Sequence, residues 1–162
     1  MSALICAITL ITLYFASIWP TGRIGLVALA SVLAAAAVIE AGILSGIYVF
    51  VASSLLAVIV IPEKSSALLY ILFFGYYPVA KSLIERIRGK SLQWVLKLLL
   101  FNLALTVILL LLREMIFGTD AALPGNLLLY IGCNVVFILF DYGFTKVIWL
   151  YIERVSRYFK KT

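Results

Sequence analysis

Residues 24–62 read IGLVALASVLAAAAVIEAGILSGIYVFVASSLLAVIVIP, and the way this stretch is read decides the fold. It is apolar throughout except for Glu40. A helix rises ~1.5 Å per residue and the hydrocarbon core of a bilayer is ~30 Å thick, so ~20 residues make one crossing. The stretch is nearly twice that long. It reads as a helical hairpin, with spans over 24–39 and 43–61 and a turn near Glu40, Ala41 and Gly42. The alternative is one long tilted or re-entrant element, which would reduce the spans to five and place the N-terminus outside.

The same reasoning finds four more spans on either side. Residues 3–19 form the first, broken by Pro20, Thr21 and Gly22, with Arg23 in a short exposed turn. A secretory signal would show a basic start and a small-residue cleavage site before a soluble body, so this segment is expected to be a membrane span. Pro62-Glu63-Lys64-Ser65 is a polar loop, and Ser65 or Ser66 can cap the helix that follows. The fourth span, 66–84, contains Gly75 and Pro78, which can kink a helix and open a cavity. After it comes the densest charge cluster: Lys81, Glu85, Arg86, Arg88 and Lys90. The fifth span covers 92–112. A polar loop, 113–125, holds Arg113, Glu114, Asp120 and Pro124. The sixth span is 127–150, and a basic tail, 151–162, carries Arg154, Arg157, Lys160 and Lys161.

Composition agrees with this reading. The 162 residues are 65% hydrophobic and only 12% charged, where soluble domains are about half apolar and a quarter charged. The formal net charge of +6 would suit nucleic acid in a soluble protein, but these cations gather at helix ends. There they set topology and meet anionic headgroups, so no nucleic-acid partner is expected. The positive-inside rule puts the 85–90 loop and the tail in the cytoplasm, and with six spans both termini as well. Trp19, Trp94 and Trp149 fall near the expected interfaces, where indoles prefer to sit. The chain is thus expected to be a single all-α transmembrane domain, 1–162, of a multi-pass protein of the cell membrane.

Polar residues inside spans need a reason, because hydrocarbon cannot solvate them. Asp141 lies about nine residues, or ~13 Å, inside the last span. Asn134 precedes it by about two turns on the same face, and Thr145 follows by about one. Asn102 sits near the middle of the fifth span, and Lys97 nearer its cytoplasmic end. Tyr76 and Tyr77 lie near the middle of the fourth. One reading lines a ligand pocket with Tyr76, Tyr77, Asn102 and Asn134, since amides supply donors and acceptors and aromatic faces hold a flat or apolar ligand. The other makes the polar groups an interhelical hydrogen-bond cluster. For Asp141 the second is preferred: a buried ion pair with Lys97, or with Lys81 or Lys146. Glu40 reads as a turn residue at the headgroups.

Catalytic and metal chemistry find little footing. There is no histidine, and Cys6 and Cys133 lie in apolar segments at a spacing unlike any zinc motif. No Walker loop, H-E-x-x-H, G-x-S-x-G or C-x-x-C is present. Ser82 adjoins Lys81, but neighbours on a helix diverge by ~100° and do not form a dyad. No enzyme activity, cofactor or metal is expected.

Two small-residue steps remain, Ala3-x-x-x-Ala7 and Gly42-x-x-x-Gly46, which let helix backbones approach. With the six-span layout, these steps resemble the substrate-binding S components of energy-coupling-factor transporters, small bacterial membrane proteins with both ends cytoplasmic. The resemblance implies that Ala3 and Ala7 pack against a transmembrane coupling subunit that works with ATPases, and that a vitamin-like small organic ligand is held near the outer face. The covering loop between helices one and two is short here, Pro20 to Arg23, and the N-terminal histidines of nickel- and cobalt-transporting members are missing. The layout is also similar to the small membrane scaffold subunit of the bacterial cell-shape machinery, without its loop motifs. A non-catalytic scaffold that binds partner membrane proteins is therefore the second expectation.

Overall fold

The structure, a computed structural model, describes residues 2–117 and 126–156. The expected loop residues Asp120 and Pro124, and Arg157, Lys160 and Lys161 of the tail, lie outside the described residues. Those described are helical, with no strand among them. Helix α1 spans Ser2–Ile18, a 3-10 turn Pro20–Gly22, α2 Arg23–Val60 and α3 Lys64–Leu69. A π turn, Tyr70–Phe74, leads into α4, Tyr77–Ile84; α5 spans Lys90–Phe117 and α6 Asn126–Tyr151. Four runs are long and apolar enough to cross a membrane: Arg23–Val60, Lys64–Ile84, Lys90–Leu111 and Leu127–Arg154. At 17 residues, α1 is shorter. Their outer faces carry large apolar side chains, such as Ile59 at 78% and Leu110 at 76% exposure, which lipid rather than water would cover.

Helix α2 has 38 residues and would reach ~57 Å if straight. It is not straight. At Gly42 the backbone takes φ 86°, ψ 177°, a region that only glycine enters freely. Arg23, at one end, donates to Ser65 Oγ at 2.9 Å and lies 3.4 Å from Glu63 Oε1, just past the other end. Val27 and Ala30 share one buried cluster with Ala57 and Ile61. The halves 23–41 and 43–60 therefore run back along each other, each about one bilayer core in length. The expected Gly42-x-x-x-Gly46 packing step is corrected by this geometry. Gly42 makes the turn, while Gly46 alone makes the close approach, since a Cβ there would sit 3.2 Å from Val79 and collide with Val38.

Two packing modes divide the molecule. Helix α1 buries Cys6, Thr9, Leu13 and Ala16, a stripe at helical spacing, against α2. Small side chains, Ala16, Ala30 and Ala57, sit in this seam and allow the backbones to approach closely. On the other side, Phe73, Tyr77, Phe101, Phe137, Phe140 and Phe144 hold α4, α5 and α6 together through large rings. Phe101 and Phe137 stack at 4.4 Å with 8° between planes; most neighbouring pairs meet at steep angles, as ring quadrupoles favour.

The α pattern of the fourth span is interrupted ahead of Pro78 by the π turn. Gly75 N–H donates to Tyr70 O at 2.7 Å, one residue beyond the α pattern. Pro78, which lacks an N–H, falls in the first turn of α4, where none is needed. No cavity opens at Gly75: a Cβ would lie 2.6 Å from Phe50 Cδ2. The resulting phase buries Tyr70, Phe73, Tyr77, Lys81 and Ile84 along one side.

The start of α3 differs from expectation, because neither Ser65 nor Ser66 is the cap. Glu63 is the N-cap, accepting from the backbone N–H groups of Ser65 at 3.3 Å and Ser66 at 3.2 Å. The longer side chain satisfies two orphan donors at once and faces Arg23 as well. Burial pushes its carboxyl up, but the Ser65 and Ser66 hydrogen bonds and the Arg23 charge outweigh this and hold it below the ordinary carboxylate value. The fifth span also exceeds its expected end at 112, since the helix runs on to Phe117.

Two stability measurements in detergent follow. Gly42→Ala is expected to cost about 1–3 kcal/mol, because alanine is strained at positive φ. Gly25→Ala, where a Cβ meets nothing within 4 Å, should be neutral or stabilise by up to ~1 kcal/mol. Glu63→Gln should remove stability of the order of 1 kcal/mol at neutral pH. A lowered folded pKa means that this contribution is present above the unfolded carboxylate pKa and disappears as pH falls through the folded value. The variant and the parent should therefore converge only in strong acid.

Candidate functional site

Four charged side chains from three helical runs meet beneath the aromatic layer. Lys81 comes from α4, Lys97 from α5 and Asp141 from α6, and Glu85 caps the C-terminal end of α4. Asp141 is 2% exposed, Lys81 2% and Lys97 5%, so none can be solvated by water. Asp141 Oδ2 accepts from Lys97 at 3.0 Å. Its Oδ1 accepts from both Lys81 and the Tyr77 hydroxyl. Glu85 Oε1 lies 2.8 Å from Lys81 Nζ and 2.8 Å from Lys97 Nζ. Lys81 also donates to Thr145 Oγ1 at 2.9 Å, and the Thr145 hydroxyl donates in turn to the Asp141 backbone carbonyl at 2.7 Å.

Two cations therefore face two anions, and each buried charge has at least two partners. This matters because an ion in a low-dielectric interior is tolerable only when its charge and its hydrogen-bonding capacity are both met. Glu85 differs from the rest: its side chain is 41% exposed, and it stands between the spans, at the water end of the cluster. Burial pushes its carboxyl up, but the hydrogen bonds from Lys81 and Lys97 prevail and keep it below the ordinary range.

Sequence reasoning had named Asp141, Lys97 and Lys81 as possible partners, and the structure brings all three together. Lys146 stands apart, over the Tyr142 ring at 5.7 Å. Glu85 was missed, although Tyr77, Lys81 and Glu85 follow one another at four-residue intervals on one helical face. Tyr77, expected at a ligand, is fully buried and its hydroxyl is engaged by Asp141.

The other expected ligand residues are also occupied. Asn102 Nδ2 donates to Asn134 Oδ1 at 2.9 Å, and Asn134 Nδ2 to Asn102 Oδ1 at 3.0 Å. Their remaining N–H groups reach the carbonyls of Leu98 and Tyr130, each at 2.8 Å. Every amide donor is therefore used. Tyr76 is half-buried against Phe50 and Phe73. Glu40 is more than a turn residue, for its Oε1 accepts from Tyr151 at the end of α6.

Space lies elsewhere. A cleft of ≈ 260 Å³ opens beside the charge cluster, between α5 and α6, with Lys97, Asp141 and Glu85 in its floor and Lys90, Trp94 and Lys146 around it. A smaller cavity of ≈ 110 Å³ reaches Lys81 and Glu85 from the side of Ile39 and Pro78. A shallow apolar groove of ≈ 380 Å³ runs between α1 and the second half of α2, lined by Ala3, Ala7, Leu10, Tyr48 and Ala52. Tyr76, Tyr77, Asn102 and Asn134 line none of these three. Cys6 and Cys133 are free thiols, and among the described residues no cluster of metal-ligating side chains occurs. Scans against protein-family models, curated proteins and solved structures give no match for this chain.

The cluster should behave as a unit. Asp141→Asn leaves two buried lysines sharing one half-exposed carboxylate and is expected to destabilise by about 3–5 kcal/mol. Adding Lys97→Met removes the surplus cation and should recover part of the loss. A thermal-denaturation cycle in detergent should show a coupling of about 1–3 kcal/mol between the two sites; simple additivity would mean that the pair is not coupled.

Proposed function

We propose that the chain is a six-span membrane subunit that binds a small charged solute in the cleft between α5 and α6, as part of a transport system energised by a separate partner. The observation that carries the reading is the quartet Lys81, Glu85, Lys97 and Asp141, buried among apolar helices yet bordering an open cleft. Ionisable groups inside a bilayer are costly and usually mark a solute or ion pathway. The six crossings are α1, the two halves of α2, the run from α3 to α4, α5 and α6. Ser2 meets Ser45 at 2.7 Å and Tyr151 meets Glu40, both beside the Gly42 turn, so the two described ends share one end of the bundle. Arg86, Arg88, Lys90 and Arg154 lie towards that end, which the positive-inside rule assigns to the cytoplasm.

The resemblance to S components enters this reading through α1. Ala3 and Ala7 are exposed and floor the apolar groove, which suits docking against a transmembrane coupling subunit. The ligand site proposed here differs from what that resemblance implies, since the cleft beside the quartet lies towards the end assigned to the cytoplasm. Catalysis is not part of the proposal. In the quartet both lysines are held by carboxylates and the Thr145 hydroxyl donates to a backbone carbonyl, so that cluster offers no free base beside a nucleophile.

A non-transporting scaffold is the second reading, favoured by the closed Asn102–Asn134 clasp and the unfilled Ala3–Ala7 groove. Native mass spectrometry of the purified full chain separates the two. The solute-binding reading expects a retained small molecule that disappears in Lys97→Met. A chain that never retains one, yet co-purifies with another membrane protein, would establish the scaffold instead. Replacing Ala3 and Ala7 by leucine should abolish co-purification with a coupling subunit.

A further inference from the structure

The two carboxylates of the quartet are not equivalent. Asp141 is enclosed and receives Lys81, Lys97 and Tyr77 on its two oxygens. Glu85 approaches the same two ammonium groups from the water side, through one oxygen, and keeps 41% of its side chain exposed. It follows the last turn of α4, where the chain is already leaving the helix. Displacing Asp141 would strand charge in the interior. Displacing Glu85 would return a carboxylate to water, where solvation replaces what it loses.

The cleft above Glu85 is cationic. Three lysines, Lys90, Lys97 and Lys146, line it against the two carboxylates Asp141 and Glu85, and Lys81 stands behind them, paired with both carboxylates. Such a balance repels cations and concentrates anions at the mouth. The space of ≈ 260 Å³ falls below the ~300–1,000 Å³ of drug-sized sites and suits a compact group. Trp94 and Tyr142, 41% and 64% exposed, stand at its rim, and it opens sideways between α5 and α6.

We propose that this cleft binds a phosphate-class anion, which takes the place of the Glu85 carboxylate on Lys81 and Lys97, so that Glu85 is an internal competitor for the site. The proposal rests on the reading that the cleft is the binding site. Exchange of one anion for another keeps the buried lysines neutralised throughout, which entry of a cation or a neutral solute would not. A phosphate presents at least three acceptor oxygens, enough to meet Lys97 in the floor and Lys90 or Lys146 beside it, and to reach Lys81 through the place Glu85 leaves. A free phosphate ester and the headgroup of an acidic phospholipid share this chemistry, and both have a way in.

Removing the competitor should strengthen binding, the opposite of what loss of an ordinary ligand contact would do. The full chain, purified in neutral detergent, is titrated with inorganic phosphate by calorimetry. In a parallel arm it is placed in nanodiscs containing brominated phosphatidylglycerol, and quenching of Trp94 is compared with discs of brominated phosphatidylcholine. Glu85→Gln is expected to tighten binding about tenfold, and Lys97→Met to weaken it by at least as much. That order in the phosphate arm identifies a free ion or ester; the same order in the nanodisc arm alone identifies a lipid headgroup. Glu85→Gln, at a half-exposed position, is expected to fold, and a normal melting curve checks it. Binding that is unchanged or weaker in Glu85→Gln in both arms overturns the proposal. A solute retained in native mass spectrometry alongside such flat titrations overturns the phosphate assignment alone, and leaves the cleft as the site of a different ligand.

Discussion

Hydrocarbon offers nothing to solvate a charge, so the charges placed inside this bundle must neutralise one another. Lys81, Lys97, Asp141 and Glu85 do so from three successive helical runs. An ammonium on α4 and another on α5 converge on one carboxylate of α6, which ties the rotation of each helix to that of the others. Rotating any one by a single residue would turn its charge ~100° away from the cluster. The aromatic layer above it, from Phe73 to Phe144, is large and adaptable and would tolerate several phases; the ion cluster selects one. Such clusters do not necessarily add net stability over a well-packed apolar core, but they penalise alternatives severely.

The two sides of the molecule are held by different physics. Between α1 and α2 the side chains are small, the backbones come close and dispersion does the holding. Thr9 and Ser53 there bond only to their own helix or to Tyr70. Among α4, α5 and α6 the rings keep the helices apart, and specificity comes from polar clasps at two depths. A neutral one, Asn102 with Asn134, is saturated internally. The charged one, about two turns further along α6, has a partner that still touches water. The ≈ 260 Å³ cleft lies beside the second of these clasps.

Much of this architecture could be read from the residues, and the limits have identifiable causes. Span lengths follow from hydropathy because bilayer thickness is a hard constraint. The reversal within 24–62 follows from length, and Glu40, Ala41 and Gly42 mark its place. Which of the three carries it is decided by the backbone: Gly42 adopts positive φ, and the charge of Glu40 has no bearing on that. Asp141 with Lys97 was foreseeable, since an unpaired buried acid is prohibitively costly. The role of Tyr77 was not, because an aromatic residue in an apolar run gives no sign of whether its hydroxyl faces a ligand or a neighbour. Asn102 and Asn134 were open to the same ambiguity: one amide in a span asks for a partner, and two on adjacent helices can answer each other. Spacing along one helix was the available signal for Glu85, but its place in a dense charge run hid it as a topology determinant.

The same asymmetry bears on what kind of protein this is. A purely structural charge cluster gains from burying every member, because partial solvation weakens each Coulombic contact it makes. Here Asp141 is sealed while Glu85, held by the same two lysines, is left at the mouth of a cleft. Apolar residues lining that cleft would have completed the closure, yet Lys90 and Lys146 are among those that line it. Extra cations above an already neutral quartet contribute nothing to holding α4, α5 and α6 in register, and they raise the cost of compaction through mutual repulsion. Their placement is economical only if the positive field is used. The sealed carboxylate therefore accounts for the fold and the open one for the cleft, so that one pair of lysines serves both.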